Sequence, residues 1–295
     1  VKSTNAGDVD FVLWNDGGSG VWGSFAQLGA DVSYTGPLMA GGGGTIDLTF
    51  QGALSPTTRH YFYARRDASW GITAEPVAFS GNDSFGWDAA AVTRLGADTV
   101  IAYAGDNHDL YDQTRTTSGW LQASGHSLGN NGIGVAPALV ALGAGGAADL
   151  MIVFVRSDTS PANQVQFTKR TPGNPPSWSA PIAIDANAYS NAPPAAATLA
   201  NGDVVVVFLG QDQKGYFSRW TGTPTRAWTV PAALSAGTLA SPPAVAPGVG
   251  SADAEIAFVD ATSGAVFHAR LAGTTLATPA LVGGAALSHV AIASE

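Results

Sequence analysis

Apolar residues in this chain fall into short runs, and the runs recur. Four of them start at an Asp and reach an aromatic five residues later: Asp98-TVIA-Tyr103, Asp149-LMIV-Phe154, Asp203-VVVV-Phe208 and Asp253-AEIA-Phe258. Unbroken apolar runs of this length, rich in β-branched side chains, are the pattern of strands buried on both faces. Five further runs end in Arg, at Arg66, Arg115, Arg170, Arg219 and Arg270, the last four each following one of the Asp-led runs. In four of these runs an aromatic stands three residues earlier, at Tyr63, Phe167, Tyr216 and Phe267. A polar turn then leads to a Trp that opens a third short segment. Small residues, often with Pro, precede the Asp runs and predict innermost strands near 33–41, 85–94, 135–143, 191–200 and 240–247.

The Trp positions act as a ruler. Trp22, Trp70, Trp120, Trp178 and Trp228 are separated by 48, 50, 58 and 50 residues, and a further 48 lands on Leu276. Each period holds four strand-sized segments divided by Gly, Pro, Asn, Asp and Ser turns. Four strands in about 40–50 residues is the signature of a β-propeller blade. A β-helix needs much shorter repeats, and a sandwich needs no fixed period.

The pattern predicts an all-β fold, a six-bladed β-propeller of four-stranded blades forming one domain over 1–295. Five whole blades are placed at about 33–79, 84–129, 134–186, 190–236 and 239–284. The chain opens directly into Asp10–Trp14 and closes on the strand-like Leu287–Ser294. A composite sixth blade is therefore expected, in which 286–295 pairs with 8–29 and the terminal strands close the ring.

Composition narrows the partners. Lys and Arg total 13 against 22 Asp and Glu, a formal net charge of −9, which disfavours nucleic acid and anionic lipid surfaces. The longest apolar runs, such as Val204 to Leu209, are strand-sized and predict no membrane span. The absence of Cys removes disulfides, thiol catalysis and Cys-ligated zinc. The start Val1-Lys2-Ser3-Thr4, without Met, and the Gly-, Ser-, Thr- and Asn-rich surface lead to the expectation of a secreted or cell-surface protein.

Two resemblances follow from the motifs. Asn15-Asp16-Gly17-Gly18-Ser19-Gly20-Val21-Trp22 resembles the Asp-box of sialidase-like propellers, with the Asp one residue early. In that family the box is a fold element remote from chemistry. The order aromatic–x–x–Arg, turn, Trp, then a Pro- and Ala-rich inner strand is similar, over nearly the whole chain, to fucose-type lectin propellers. That likeness implies a carbohydrate-binding fold without identifying the sugar.

Catalytic chemistry is poorly provided. Glycoside hydrolysis generally uses two carboxylates at a defined separation. Only three Glu exist: Glu75 in an outer strand segment, Glu255 beside the repeat Asp253, and the terminal Glu295. Arg side chains at one repeat position of a ring cannot converge on a single substrate. The expected function is a non-catalytic, lectin-like propeller that binds a glycan or polysaccharide at shallow sites repeated between blades. One alternative is a glycan-processing enzyme of sialidase-like or polysaccharide-lyase type with one axial site. The second is a protein-interaction scaffold of a surface protein.

The candidate ligand contacts are Arg66, Arg115, Arg170, Arg219 and Arg270, which bond either sugar hydroxyls or neighbouring carbonyls. The Trp of the ruler either stack on a sugar's apolar face or fill the space between adjacent blades, whereas Trp14, Trp87 and Trp220 break the repeat and are candidates for exposed aromatic contacts. No organic cofactor is expected. Asp106, Asp109 and Asp112 suit either a Ca2+ ion with oxygen ligands or a polar hairpin turn whose side chains bond their own backbone.

Overall fold

The structure, a computed structural model, describes residues 8–11, 14–15, 21–22, 26–32, 38–42, 45–55, 58–66, 72–77, 90–105, 107–121, 126–130, 132–142, 148–158, 162–173, 176–221, 226–248, 250–251, 253–285, 290 and 292. These residues are all-β. Five antiparallel blades follow one another along the chain, each running outward from a short inner strand. The inner strands are Leu38–Gly42 in blade I, Ala91–Leu95 in blade II, Ala138–Ala141 in blade III, Ala195–Thr198 in blade IV and Ala244–Pro247 in blade V. Each inner strand packs beside the inner strand of the next blade, and their Ala- and Val-rich sequences permit that crowding.

The second strands carry the Asp-led runs, and their burial follows from the two-residue side-chain period. In blade IV, Val204 and Val206 pack toward blade III, and Val205 and Val207 toward blade V. Blade III divides in the same way, with Met151, Val153 and Val155 facing blade IV and Leu150, Ile152 and Phe154 facing blade II. The core is therefore a series of separate apolar layers between adjacent blades. Each fully buried Val, Leu or Ile adds roughly 1.5–3 kcal/mol to the cohesion of its layer.

The fourth strand is split in blades II to V. In blade III, Ser177–Trp178 pairs the third strand at Thr171 and Arg170, and Ile182–Ala183 pairs it again at Phe167 and Gln166. Pro181 stands between, with no N–H to give the ladder. Hydroxyls fill the break: Thr168 donates to the Ser179 carbonyl at 2.6 Å, and the Lys169 N–H donates to Ser179 Oγ at 3.1 Å. Blade IV repeats this with Ser218 on the Thr229 carbonyl at 2.6 Å and the Arg219 N–H on Thr229 Oγ1 at 2.9 Å.

Five blades, rather than six, are present among the described residues. The N-terminal segment forms two separate two-stranded pieces, Asp8–Phe11 with Ala26–Val32 and Trp14–Asn15 with Val21–Trp22. Within the expected closing strand, Val290 and Ile292 are described and lie in no strand, and the rest of 287–294 falls outside the described residues. No sheet among the described residues joins the two ends of the chain. Apolar residues in Leu287–Ser294 are not enough for a strand, which also needs an edge that offers a complementary ladder. The Asp-box-like stretch contributes its flanks, with Asn15 opposite Val21, while 16–20 fall outside the described residues.

Candidate functional site

The repeated Arg residues divide into two sets. Across the third and fourth strands, Arg115 stands opposite Trp120 and Arg170 opposite Trp178. In blades IV and V the corresponding places belong to Trp220, opposite Trp228, and Leu271, opposite Leu276. Arg219 and Arg270 come one residue earlier, and a one-residue shift on a strand turns a side chain to the other face. Arg115 and Arg170 thus face the preceding blade, reaching Glu75 of blade I and Asp112 of blade II. Arg219 faces the following blade, where it donates to the Gly273 carbonyl. In blade I it is Arg65 that bonds Thr99 of blade II, at 2.5 Å. The side chain of its neighbour Arg66 lies outside the described residues.

Three of these Arg residues are held by the Asp of their own blade. Arg170 grips Asp149 through two bonds of 3.0 and 2.9 Å, and Arg219 grips Asp203 through two of 2.9 and 2.7 Å. Arg270 bonds Asp253 in the same manner. The repeated Asp and the repeated Arg are therefore two halves of one intra-blade clasp. Burial alone would raise the Asp203 pKa. Hydrogen bonds from Arg219, Thr221 and Asn201 outweigh that and hold it below the ordinary 3.8.

The junction of blades I and II differs. Glu75, on the outer strand Ile72–Pro76, accepts from Arg115 Nε at 2.5 Å and from the Trp120 indole N–H at 3.0 Å. Its side chain remains 33% exposed and that of Arg115 14%, so the group opens on solvent. Behind it lies the Tyr63 ring, with Trp120 edge-on at 5.5 Å and the Arg115 guanidinium at 5.3 Å. The Tyr63 hydroxyl donates to the fully buried Asp47, which also pairs with Arg65 at 2.9 Å and Arg94 at 3.6 Å. Burial first, and the Asp47 carboxylate second, push the Tyr63 pKa up to about 12. A charged anchor in the interior thus holds Tyr63 behind a partly exposed cluster of a carboxylate, a guanidinium and an indole.

No other described junction places a carboxylate at this fourth-strand position. Glu75 stands opposite Tyr63; the corresponding residues are Ile182 opposite Phe167, Ala232 opposite Phe217 and Ala280 opposite His268. In blade II, His126 stands opposite Asp112, which is itself buried beside Arg170 of blade III. The Trp178 and Trp228 indole N–H groups are buried without the acceptor that Trp120 has. Between blades II and III a groove of about 240 Å³ is lined by Leu128, Thr168, Trp178 and Pro181 and carries no charged side chain.

The remaining candidates do not gather. Trp220 is only 8% exposed, covered by Lys169 and Arg226 rather than offered to solvent. The Trp14 side chain and all of Trp87 lie outside the described residues, as does Asp106. Asp109 accepts from Asn107 and Ser127, and the Asn107 side chain in turn accepts the Asp109 N–H, a polar turn closed on itself. Asp112 is buried near Arg170 on the opposite face of the strand. Among the described residues no three His, Asp or Glu side chains are grouped to hold a metal ion.

Glu75 is the residue that sequence reasoning passed over. Its signal was present: it is one of three Glu, set five residues after a ruler Trp. What the sequence did not show was the cross-junction partner, since Trp120 and Arg115 belong to the next blade.

No protein-family model matches the chain, and no curated protein is similar to it in sequence. Solved structures do share its fold. The AofleA protein of Arthrobotrys oligospora aligns over 92% of this chain and 81% of its own at 13% identity and a TM-score of 0.58. A variant of Aleuria aurantia lectin in complex with α-methyl-L-fucoside aligns over 88% and 83% at 13% identity and a TM-score of 0.53. The fold of this chain is a β-propeller of the kind seen in fucose-type lectins.

Proposed function

We propose that this chain is a non-catalytic carbohydrate-binding propeller whose principal site is the Glu75, Arg115 and Trp120 cluster at the junction of blades I and II. The observation that carries this reading is Glu75, a partly exposed carboxylate oriented by Arg115 and Trp120. A sugar offers hydroxyls that donate to a carboxylate and accept from a guanidinium, and apolar C–H faces that pack on aromatic rings. The Glu75, Arg115 and Trp120 cluster supplies all three. A hydrolase reading needs a second accessible carboxylate. Among the described residues the other carboxylate of this junction, Asp47, is fully buried and engaged by Tyr63, Arg65 and Arg94. The fold shared with a lectin bound to α-methyl-L-fucoside makes neutral fucosides the first ligands to try.

A glycan array probed with the wild type and with Glu75→Gln tests this function. Binding to neutral terminal sugars that the variant loses supports it. A wild type that binds no neutral sugar, or a variant that binds as well as the wild type, overturns it.

A further inference from the structure

The junction of blades III and IV is built on the same backbone plan as that of blades I and II, with its charges reversed. Trp228 stands where Trp120 stands, Ile182 replaces Glu75, and Trp220 replaces Arg115. The carboxylate is gone. In its neighbourhood are two cations, Lys169 from the third strand of blade III and Arg226 from the approach to the fourth strand of blade IV. Lys169 Nζ lies 5.3 Å from the centre of the Trp220 ring, and the Arg226 guanidinium carbon lies 4.9 Å from it.

Among the described residues neither cation pairs with a carboxylate. Arg65, Arg94, Arg115, Arg156, Arg170, Arg219 and Arg270 each pair with an acid. Lys169 and Arg226 form no such pair with a described residue, and Arg226 spends its NH1 on the Gly202 carbonyl. Asp149 and Asp203, the acids of these two blades' second strands, are already clasped by Arg170 and Arg219. The indole N–H of Trp228, which stands opposite Trp220, is buried with no acceptor among the described residues. Two uncompensated cations against one aromatic ring, with a spare donor at hand, are the complement of an oxyanion. The overall charge of −9 does not decide the matter, because at physiological salt distant charges are screened beyond about 8 Å.

We propose that Lys169, Arg226, Trp220 and Trp228 form a second site, which takes an anionic sugar through its carboxylate or sulfate group. It depends on no property of the Glu75 cluster.

The test is titration of the intact chain with methyl β-D-glucuronide, methyl β-D-glucoside and inorganic sulfate, following the indole N–H resonances. The glucuronide is expected to move the Trp220 and Trp228 signals, and its affinity to fall as salt is raised. The Lys169→Gln/Arg226→Gln double variant should bind it at least about tenfold more weakly, while Glu75→Gln binds it unchanged. Sulfate should compete only at far higher concentration. Equal affinity for glucoside and glucuronide, unmoved Trp220 and Trp228 signals, or sulfate as potent as the glucuronide would each overturn the site. If the double variant fails to fold, the wild-type resonance shifts and their salt dependence still decide. Loss of neutral-sugar binding in Glu75→Gln with glucuronide binding intact separates the two sites.

Discussion

The Trp120 indole donates its N–H to the Glu75 carboxylate across the junction of two blades, at 3.0 Å. This bond orients the partly exposed carboxylate and ties blade II to blade I. Trp120→Phe keeps an aromatic ring beside Tyr63 and removes the donor together with the pyrrole ring. A hydrogen bond to a charged group is worth about 1.5–3 kcal/mol, so sugar affinity is expected to fall roughly tenfold. Isothermal titration of the variant, with circular dichroism to confirm its fold, checks this.

The clasps differ in burial, and the difference has a measurable consequence. The Arg219 side chain is 4% exposed, whereas that of Arg270 is 48% exposed. Arg219→Ala leaves Asp203 buried without its partner and should lower the unfolding free energy by about 3 kcal/mol. Arg270→Ala should leave the urea midpoint unchanged, because exposed ion pairs contribute little. Urea unfolding of the two variants side by side distinguishes them.

Two groups set the pH limits of the blade I and II layer. Burial lowers the His60 pKa below 6.5, against a bond to the Val77 carbonyl that raises it. The unfolded chain then takes up a proton more readily than the folded one, and stability should decline as pH falls below 6.5. Tyr63 behaves oppositely. Its pKa, raised to about 12 from 10, gives stability that is complete below pH 10 and is lost as pH rises toward 12. Tyr63→Phe should flatten that alkaline decline in a series of thermal melts.

Ile182→Glu should convert the junction of blades III and IV toward the chemistry of Glu75. Ile182 is 57% exposed, so the change leaves no core cavity. The new carboxylate can accept the Trp228 N–H and compensates Lys169 and Arg226. The expected result is a downfield-shifted Trp228 indole signal and loss of any anionic-sugar binding, both read from one indole N–H spectrum.

How much of this was legible in the sequence depends on what the residues report. Asp203-VVVV-Phe208 declared a strand buried on both faces because every position of it packs. Three of the ruler Trp, Trp120, Trp178 and Trp228, mark where a fourth strand begins to pair. The blade count went astray at the termini. There, apolar alternation in 287–294 said nothing about whether a partner edge existed. The Arg repeat misled for a different reason. Counting Arg along the chain ignored parity, and Arg219 with its neighbour Trp220 exchanged faces relative to Arg170 and Lys169. Glu75 was visible as a letter but not as a site, because its two partners come from another blade.

The most direct measurement is a titration of the wild type and Glu75→Gln with methyl α-L-fucoside, reading stoichiometry and the Trp120 indole resonance together. The account predicts one site per chain, movement of the Trp120 signal with the other ruler Trp signals unmoved, and an affinity at least about tenfold weaker in the variant. Several equal sites per chain, or saturable binding that leaves Trp120 unmoved and survives Glu75→Gln, would contradict it.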